Sequence, residues 1–451
     1  MAEQQPLWLR GGHLIDPAQG WDGPGDVLIV DGTILASGQP SEVTAHARAL
    51  QANGRSPRTI DLPADRIVAP GFIDLHVHLR EPGLELRETI AAGAQAAARG
   101  GYTTVCCMPN TQPVLDNRGV LEWVKALAHA AAVRVLPIAA ITKNQEGALL
   151  TEMSELADAG AVAFSDDGKP IRSAQMMRLA LTYGLTHGRP IVNHCEEPDL
   201  VGKGVMHAGA IATRLGLRGW PSSGETLMLA RDLELVRMTG GRYHAAHLST
   251  AASVALVRQA KAAGLPITAE VTPHHLLLTH AWVAGEREGL LGGGTMSRYD
   301  TTTKVNPPLR TLADAEALLA GLVDGTIDCI ATDHAPHSAV EKDCCYDEAA
   351  FGISGLETAL GSLLALVHAG KLPMATLIAA LTSHPAKAFG IDGGTLAPGT
   401  RADVVIFAPQ EQWIVDPATF ASQGHNTPLA GIPLRGRARL TISNGNIVYE
   451  G

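Results

Sequence analysis

Two histidines one residue apart, His76 and His78, open the chemistry of this sequence, in the segment Gly71-Phe-Ile-Asp-Leu-His76-Val-His78-Leu-Arg80-Glu-Pro-Gly83. Residues two apart on a strand point to the same face, so both imidazoles would face one way. That is half of a metal site. An isolated pair of this kind is more often packed in a core or hydrogen-bonded at a surface. This pair has company, because Asp166 and Asp167, His194, His247 and Asp333 each close a separate short apolar segment. Four imidazoles and two carboxylates, Asp333 and one of the adjacent pair Asp166 and Asp167, on one rim would suit one or two divalent ions, with zinc the usual choice where imidazole dominates.

Such a set needs a scaffold that delivers the ends of several strands to one place. The middle of the chain alternates short apolar segments rich in β-branched residues with longer Ala/Leu-rich ones. The pattern predicts strands over 73–79, 103–108, 133–138, 161–165, 190–194, 243–248, 267–271 and 327–332. Helices are predicted over 88–99, 121–131, 174–186, 226–239, 253–263, 314–323 and 356–368, several of them followed closely by glycine. Eight strands each leading into a helix make an α/β (β/α)8 barrel of the TIM type, whose catalytic groups come from the C-terminal ends of the strands. A doubly wound open sheet is the rival, and no GxGxxG follows a first strand.

The two ends of the chain differ from the middle. Residues 6–66 and the tail from about 393 carry strand-and-turn signals, and neither holds enough residues for a core of its own. They are expected to pair into one small β-sandwich. The expected division is 1–66 for the first part of the sandwich, 67–390 for the barrel and 391–451 for the rest of the sandwich. The stretch 284–297, with five glycines, is expected to be a mobile insertion near the barrel mouth.

Composition narrows the function classes. The chain has 451 residues, 46% hydrophobic and 18% charged, with a formal net charge of -10. Non-specific nucleic-acid binding needs a positive footprint that this balance lacks. Apolar stretches are interrupted before they reach spanning length, and the start MAEQQPLWLRGG has no basic residue followed by an apolar run. A cytoplasmic protein with reduced thiols is expected; four of the six cysteines are adjacent pairs and no CxxC occurs.

The motifs HVHLREPG, MPNT, FSDDG, NHCE, HLS, EVTPHHL, KVNPPLR, ATDHAPH and FGISGLET, with the terminal GGTLAPGTRADVVIF, together resemble those of the amidohydrolase superfamily. Within it they are similar to the long-chain bacterial dihydroorotases. The resemblance implies reversible, zinc-dependent hydrolysis of L-dihydroorotate to N-carbamoyl-L-aspartate, the ring-closing reaction of pyrimidine synthesis. It implies that His76 and His78 bind the more buried ion, with Asp333 beside it, and that His194 and His247 bind the second. Hydantoinases, allantoinases and another dihydroorotase group place a carboxylated lysine between the ions. The fourth strand here, AVAFSDDGK, has no lysine within it, so Asp167 is expected as the bridge. Asp166 is expected to orient a neighbour or hold the loop, and Lys169 to be an ordinary loop lysine. Asp333 would take a proton from the attacking water and pass it to the leaving nitrogen. Arg80, Asn110, Asn306 and His337 would hold the substrate carboxylate, with backbone groups near Phe351 and Gly352 holding the ring.

Other residues receive bland expectations. His274 and His275 are expected to sit behind the ligands or in the structure, Cys195 to be a buried thiol, and His334 to support the site. The cofactor implied is Zn2+, one or two ions per chain. A homodimer and association with aspartate carbamoyltransferase are the assemblies the resemblance leaves open. The alternatives in function are a related cyclic amidohydrolase, allantoinase or hydantoinase, and an inactive structural partner of aspartate carbamoyltransferase.

Overall fold

The alternating segments resolve into eight parallel strands, Phe72–Val77, Tyr102–Cys107, Arg134–Ala139, Ala163–Ser165, Ile191–Asn193, Tyr243–Ala245, Ile267–Val271 and Cys329–Ile330, hydrogen-bonded in sequence order. The structure is a computed structural model that describes residues 5–293 and 295–451; Met1 to Gln4 and Gly294 lie outside the described residues, and with them part of the N-terminal segment and of the glycine-rich stretch. Helices follow the strands, among them Ile90–Gly100, Arg118–Ala128, Ala174–Gly184, Ser223–Thr239, Ala251–Ala262, Leu312–Val323 and Ala359–His368. Their starts are set locally. Thr89, Asn117, Ser173, Thr250 and Thr311 each accept a hydrogen bond from the backbone N–H three residues on, satisfying one of the donors a helix start leaves free.

The eighth and first strands share no ladder, and the barrel closes by other means. The bridge Val77 to His334 and the bond from His78 N–H to His334 O, 2.8 Å, join their ends. Deeper in the seam, the fully buried Asp74 carboxylate accepts from Thr332 Oγ1 at 2.6 Å, from Thr332 N–H at 3.1 Å and from His76 N–H at 3.0 Å. Burial pushes the Asp74 carboxyl up to about 7 against those bonds, so the acceptor geometry matters more than a full charge. Asp74→Ala would strand these donors at a cost of about 2–4 kcal/mol, and Asp74→Asn would cost less because one acceptor remains. Urea denaturation of the two variants checks that order.

The chain ends form a six-stranded sheet that joins His13–Asp16, Trp21–Pro24 and Ile67–Pro70 to Val404–Ile414, Pro433–Ser443 and Asn446–Glu450. A four-stranded sheet comes from residues 7–61. One buried cluster takes Leu9, Leu14, Ile29 and Val68 from the first end and Val404, Ile406 and Ile442 from the second. Neither end alone supplies that core. The helix Pro40–Ala52 covers the four-stranded sheet, packing Val43 and Ala47 on Trp8 and Leu28. Strand and turn signals alone were expected there; with only Val43 and Ala47 buried, the helix has a thin apolar stripe for a 3.6-residue period to reveal.

Candidate active site

Loops after the barrel strands bring the expected residues to one rim. His76 lies in the first strand and His78 just beyond it; Asp167 follows the fourth strand, His194 the fifth, His247 the sixth and Asp333 the eighth. Asn110 follows the second strand and Asn306 lies between the seventh and eighth. A cavity of 270 Å³ opens there, lined by every residue the sequence proposed for the site except His76, which lies buried beneath it. The size suits a small ring and falls just below the range of about 300–1,000 Å³ typical of drug-sized ligands. Backbone strain collects at this rim: Arg80, His247 and Asp333 have φ of 62°, 29° and 46°, in the left-handed region that non-glycine residues avoid.

Hydrogen bonds fix which imidazole nitrogen faces inward. His76 donates Nδ1–H to Glu270 Oε1 at 2.8 Å, and His78 donates Nδ1–H to Asn110 Oδ1 at 2.9 Å. His194 donates Nε2–H to Glu196 Oε2 at 2.9 Å. The opposite nitrogens converge on one carboxylate. Asp167 Oδ1 lies 3.5 Å from His76 Nε2, 3.8 Å from His194 Nδ1 and 3.5 Å from His247 Nε2, and Oδ2 lies 3.4 Å from His78 Nε2. Asp333 Oδ1 lies 3.1 Å from His78 Nε2 and 3.6 Å from His76 Nε2. The donor atoms of His76, His78 and Asp167, and those of Asp167, His194 and His247, form two groups that share Asp167.

A metal fits this arrangement. His76 Nε2 and Asp167 Oδ1 are buried without a hydrogen-bond partner, a costly condition for polar atoms that lack a cation between them. Burial works against the Asp167 charge, but His76 and the neighbouring imidazoles outweigh it and hold the carboxyl well below its usual range. Asp333 is also held low, by His78 beside it and by the other histidines, against the push of burial. The site is built to keep both carboxylates ionised, which is what a divalent centre needs.

The other expected residues divide into those that face the cavity and those that do not. Asp166 turns away and accepts from Ile141 N–H at 2.8 Å, Thr142 N–H at 3.0 Å and the Thr142 hydroxyl, holding that loop. Lys169 is exposed. Arg80 is buried, with Nε 3.3 Å from Pro336 O and Nη2 3.3 Å from His337 Nε2, and it makes no ion pair among the described residues. His337 Nε2 donates to Phe351 O at 2.8 Å, and Asn306 donates Nδ2–H to Glu196 Oε2 at 3.2 Å while its Oδ1 stays unpartnered. Gly352 N–H is already used by Lys304 O at 2.8 Å. His275 ties Thr272 to Pro307 O, 2.8 and 3.0 Å away. His334 Nδ1 accepts from Gly355 N–H, away from the cavity, and the Cys195 thiol sits 3.2 Å from the Tyr243 hydroxyl.

The glycine-rich stretch stands apart from the site. None of its described residues lines the cavity. It folds against the chain between the helix Pro273–Leu277 and the short turn of helix His280–Ala284. Thr279 Oγ1 donates to Glu288 at 2.7 Å, Trp282 Nε1 donates to Glu288 O at 2.9 Å, and Leu291 is buried. Leu291 supplies apolar burial that the glycine count concealed.

Three contributors had no role in the sequence reading. Glu196 and Glu270 each orient a candidate ligand, and Glu270 is recognisable afterwards as the charged residue of an otherwise uncharged strand. Asn426, from the C-terminal segment, accepts from His337 N–H at 2.9 Å and donates to Ala335 O at 3.1 Å and Gly352 O at 3.0 Å. It braces the far wall of the cavity from a distance no local pattern records.

Residues 65–253 match the family model described as dihydro-orotase-like. The chain is 51% identical to the dihydroorotase of Anaeromyxobacter sp. (strain K), over 98% of both chains. It is 49% identical to that of Pelotomaculum thermopropionicum, again over 98% of both. Among solved structures it is similar to the L-hydantoinase (dihydropyrimidinase) of Arthrobacter aurescens, at a TM-score of 0.83 and 26% identity over 98% of this chain and 96% of that one. The dihydropyrimidinase of Brevibacillus agri shares the fold at a TM-score of 0.81 and 19% identity, over 99% and 95% of the two chains. The barrel is thus common to several cyclic amidohydrolases, but identity of one half along almost the whole length is found with dihydroorotases, and the chain belongs to the dihydroorotase family.

Proposed function

We propose that the chain catalyses the reversible, zinc-dependent hydrolysis of L-dihydroorotate to N-carbamoyl-L-aspartate. The observation that carries the reading is the buried Arg80 at the wall of a polar cavity, a cation with no carboxylate of the protein to pair with among the described residues. Its planar fork suits a substrate carboxylate. Neutral hydantoins offer it nothing, which disfavours the related cyclic amidohydrolases. A purely structural role would leave four histidines and two carboxylates converging for no purpose.

His76, His78, Asp167, His194, His247 and Asp333 would hold zinc, one or two ions, with Asp167 between the two donor groups. Zinc, when bound, supplies an acidified water and a positive charge at the carbonyl under attack. Asp333 faces the cavity from the eighth strand and takes the water's proton. It returns that proton to the ring nitrogen as the amide bond breaks, so one carboxylate serves as base and then as acid. In ring closure the same proton travels the opposite way. Arg80, with His337 beside it and Asn110 and Asn306 across the cavity, holds the carboxylate and so fixes which ring carbonyl faces Asp333. The backbone at Phe351 and Gly352 closes the far side. No described helix is long and apolar enough to cross a membrane, in keeping with the cytoplasmic location we propose. The enzyme that makes N-carbamoyl-L-aspartate is the natural neighbour, and co-sedimentation with aspartate carbamoyltransferase tests that association.

Arg80→Lys keeps the charge and loses the fork. It should lower kcat/KM for dihydroorotate by about 10–100-fold, mainly through KM, as expected for one charged hydrogen-bonded contact. An unchanged KM would remove the carboxylate pocket from this reading, and preferred turnover of hydantoin or allantoin by the unaltered protein would replace it with the sibling activity.

A further inference from the structure

Glu270 is the one charged residue in the seventh barrel strand, Ile267–Val271, and it is 1% exposed. A carboxylate in such a place needs donors on both oxygens. Oε1 accepts Nδ1–H of His76 at 2.8 Å and the backbone N–H of His247 at 3.2 Å. Oε2 accepts Nε2–H of His244 at 3.1 Å, and the Thr268 hydroxyl donates to His244 Nδ1 at 2.7 Å. His244, Glu270 and Cys329 bring three ligand-type atoms together. Burial drives the Cys329 thiol far above its usual range, and both Glu270 oxygens are committed, so this group is a hydrogen-bonded support under the cavity.

We propose that Glu270 is a positioning residue of the metal centre, holding His76 in the tautomer whose Nε2 faces Asp167 and fixing the backbone from which His247 projects. The proposal rests on the reading of His76 and His247 as metal ligands. An ionised carboxylate accepts and cannot donate, so the single proton of a neutral His76 must sit on Nδ1, leaving the Nε2 lone pair toward the cavity. The same oxygen holds the amide of His247, whose φ of 29° is not one its backbone would keep unaided. One side chain thereby sets the geometry of a residue in each donor group. Glutamine at this position has one neutral acceptor and one donor against two imidazole N–H groups, so either His76 turns its proton toward the cavity or His244 moves its own to Nδ1, against the Thr268 hydroxyl, and His76 keeps only a weaker, uncharged acceptor.

The test is zinc affinity, read by competition with a chromophoric chelator, for the wild type, Glu270→Gln, His76→Ala and the double variant. Glu270→Gln should bind zinc about 10–100-fold more weakly, the range found for outer partners of metal-bound histidines. In the His76→Ala background the same change should lose most of that effect. Wild-type affinity in Glu270→Gln, or an equal loss in both backgrounds, overturns the proposal. Equal zinc binding by the wild type and His76→Ala would show instead that the ligand reading had failed, and the proposal with it. If Glu270→Gln does not fold, long-range 15N–1H correlation on the zinc-loaded wild type decides. A His76 proton on Nδ1 supports the assignment, and a proton on Nε2 overturns it.

Discussion

Asp333→Asn should leave a folded, zinc-loaded protein whose kcat for dihydroorotate is lower by about 10²–10⁴, the usual contribution of a placed acid–base group. The substitution keeps the shape of the side chain and removes its ability to accept a full proton. Asp333 faces the cavity with Oδ1 3.1 Å from His78 Nε2, and its φ of 46° shows a backbone bent to present it. Four histidines and Asp167 remain to hold zinc. The signature is therefore a large fall in kcat with KM and metal content little altered. Single-turnover kinetics on zinc-loaded enzyme separates this from a defect in binding. A loss confined to KM would assign Asp333 to substrate binding and leave the proton transfer without a carrier.

The second large effect belongs to Asp167. It is common to both donor groups, with one oxygen within 3.8 Å of His76, His194 and His247 and the other 3.4 Å from His78. Asp167→Ala should weaken zinc binding by more than about 100-fold, beyond the 10–100-fold typical of outer partners, and should impair both donor groups together. Lys169→Ala, at an exposed position, should bind zinc as the wild type does. Metal analysis after dialysis against a buffered zinc concentration reads both variants at once. Loss of metal in Lys169→Ala with retention in Asp167→Ala would restore the carboxylated-lysine arrangement of the hydantoinases to this chain.

Much of this architecture is legible in the sequence because the physics that sets it is local. The strands predicted over 103–108, 133–138 and 267–271 nearly coincide with Tyr102–Cys107, Arg134–Ala139 and Ile267–Val271, since β-branched runs between helices have few other uses in a parallel sheet. The eighth strand is shorter than predicted, Cys329–Ile330, because Thr332 leaves the ladder to bond Asp74 and Asp333 turns into the left-handed region. Of the candidate ligands only His76 lies within a strand; the others follow strand ends, where regular structure stops. Supports are harder to read. Asn426 lies 89 residues from His337 in sequence, and only the folded chain brings them together. The glycines of 284–297 predict a mobile insertion beside the cavity, yet none of its described residues lines the cavity, and Leu291 is buried. The helix Pro40–Ala52 leaves little trace in the sequence because its sheet needs little more than Val43 and Ala47.

The most direct measurement tracks dihydroorotate hydrolysis by the loss of its ultraviolet absorbance, in protein stripped of metal by a chelator and then titrated with zinc. The predicted result is no turnover in the stripped protein and restoration that saturates at one or two zinc ions per chain, with hydantoin and allantoin left intact. Full turnover of dihydroorotate in the metal-free protein, or zinc-restored turnover of the neutral rings alone, would contradict the account.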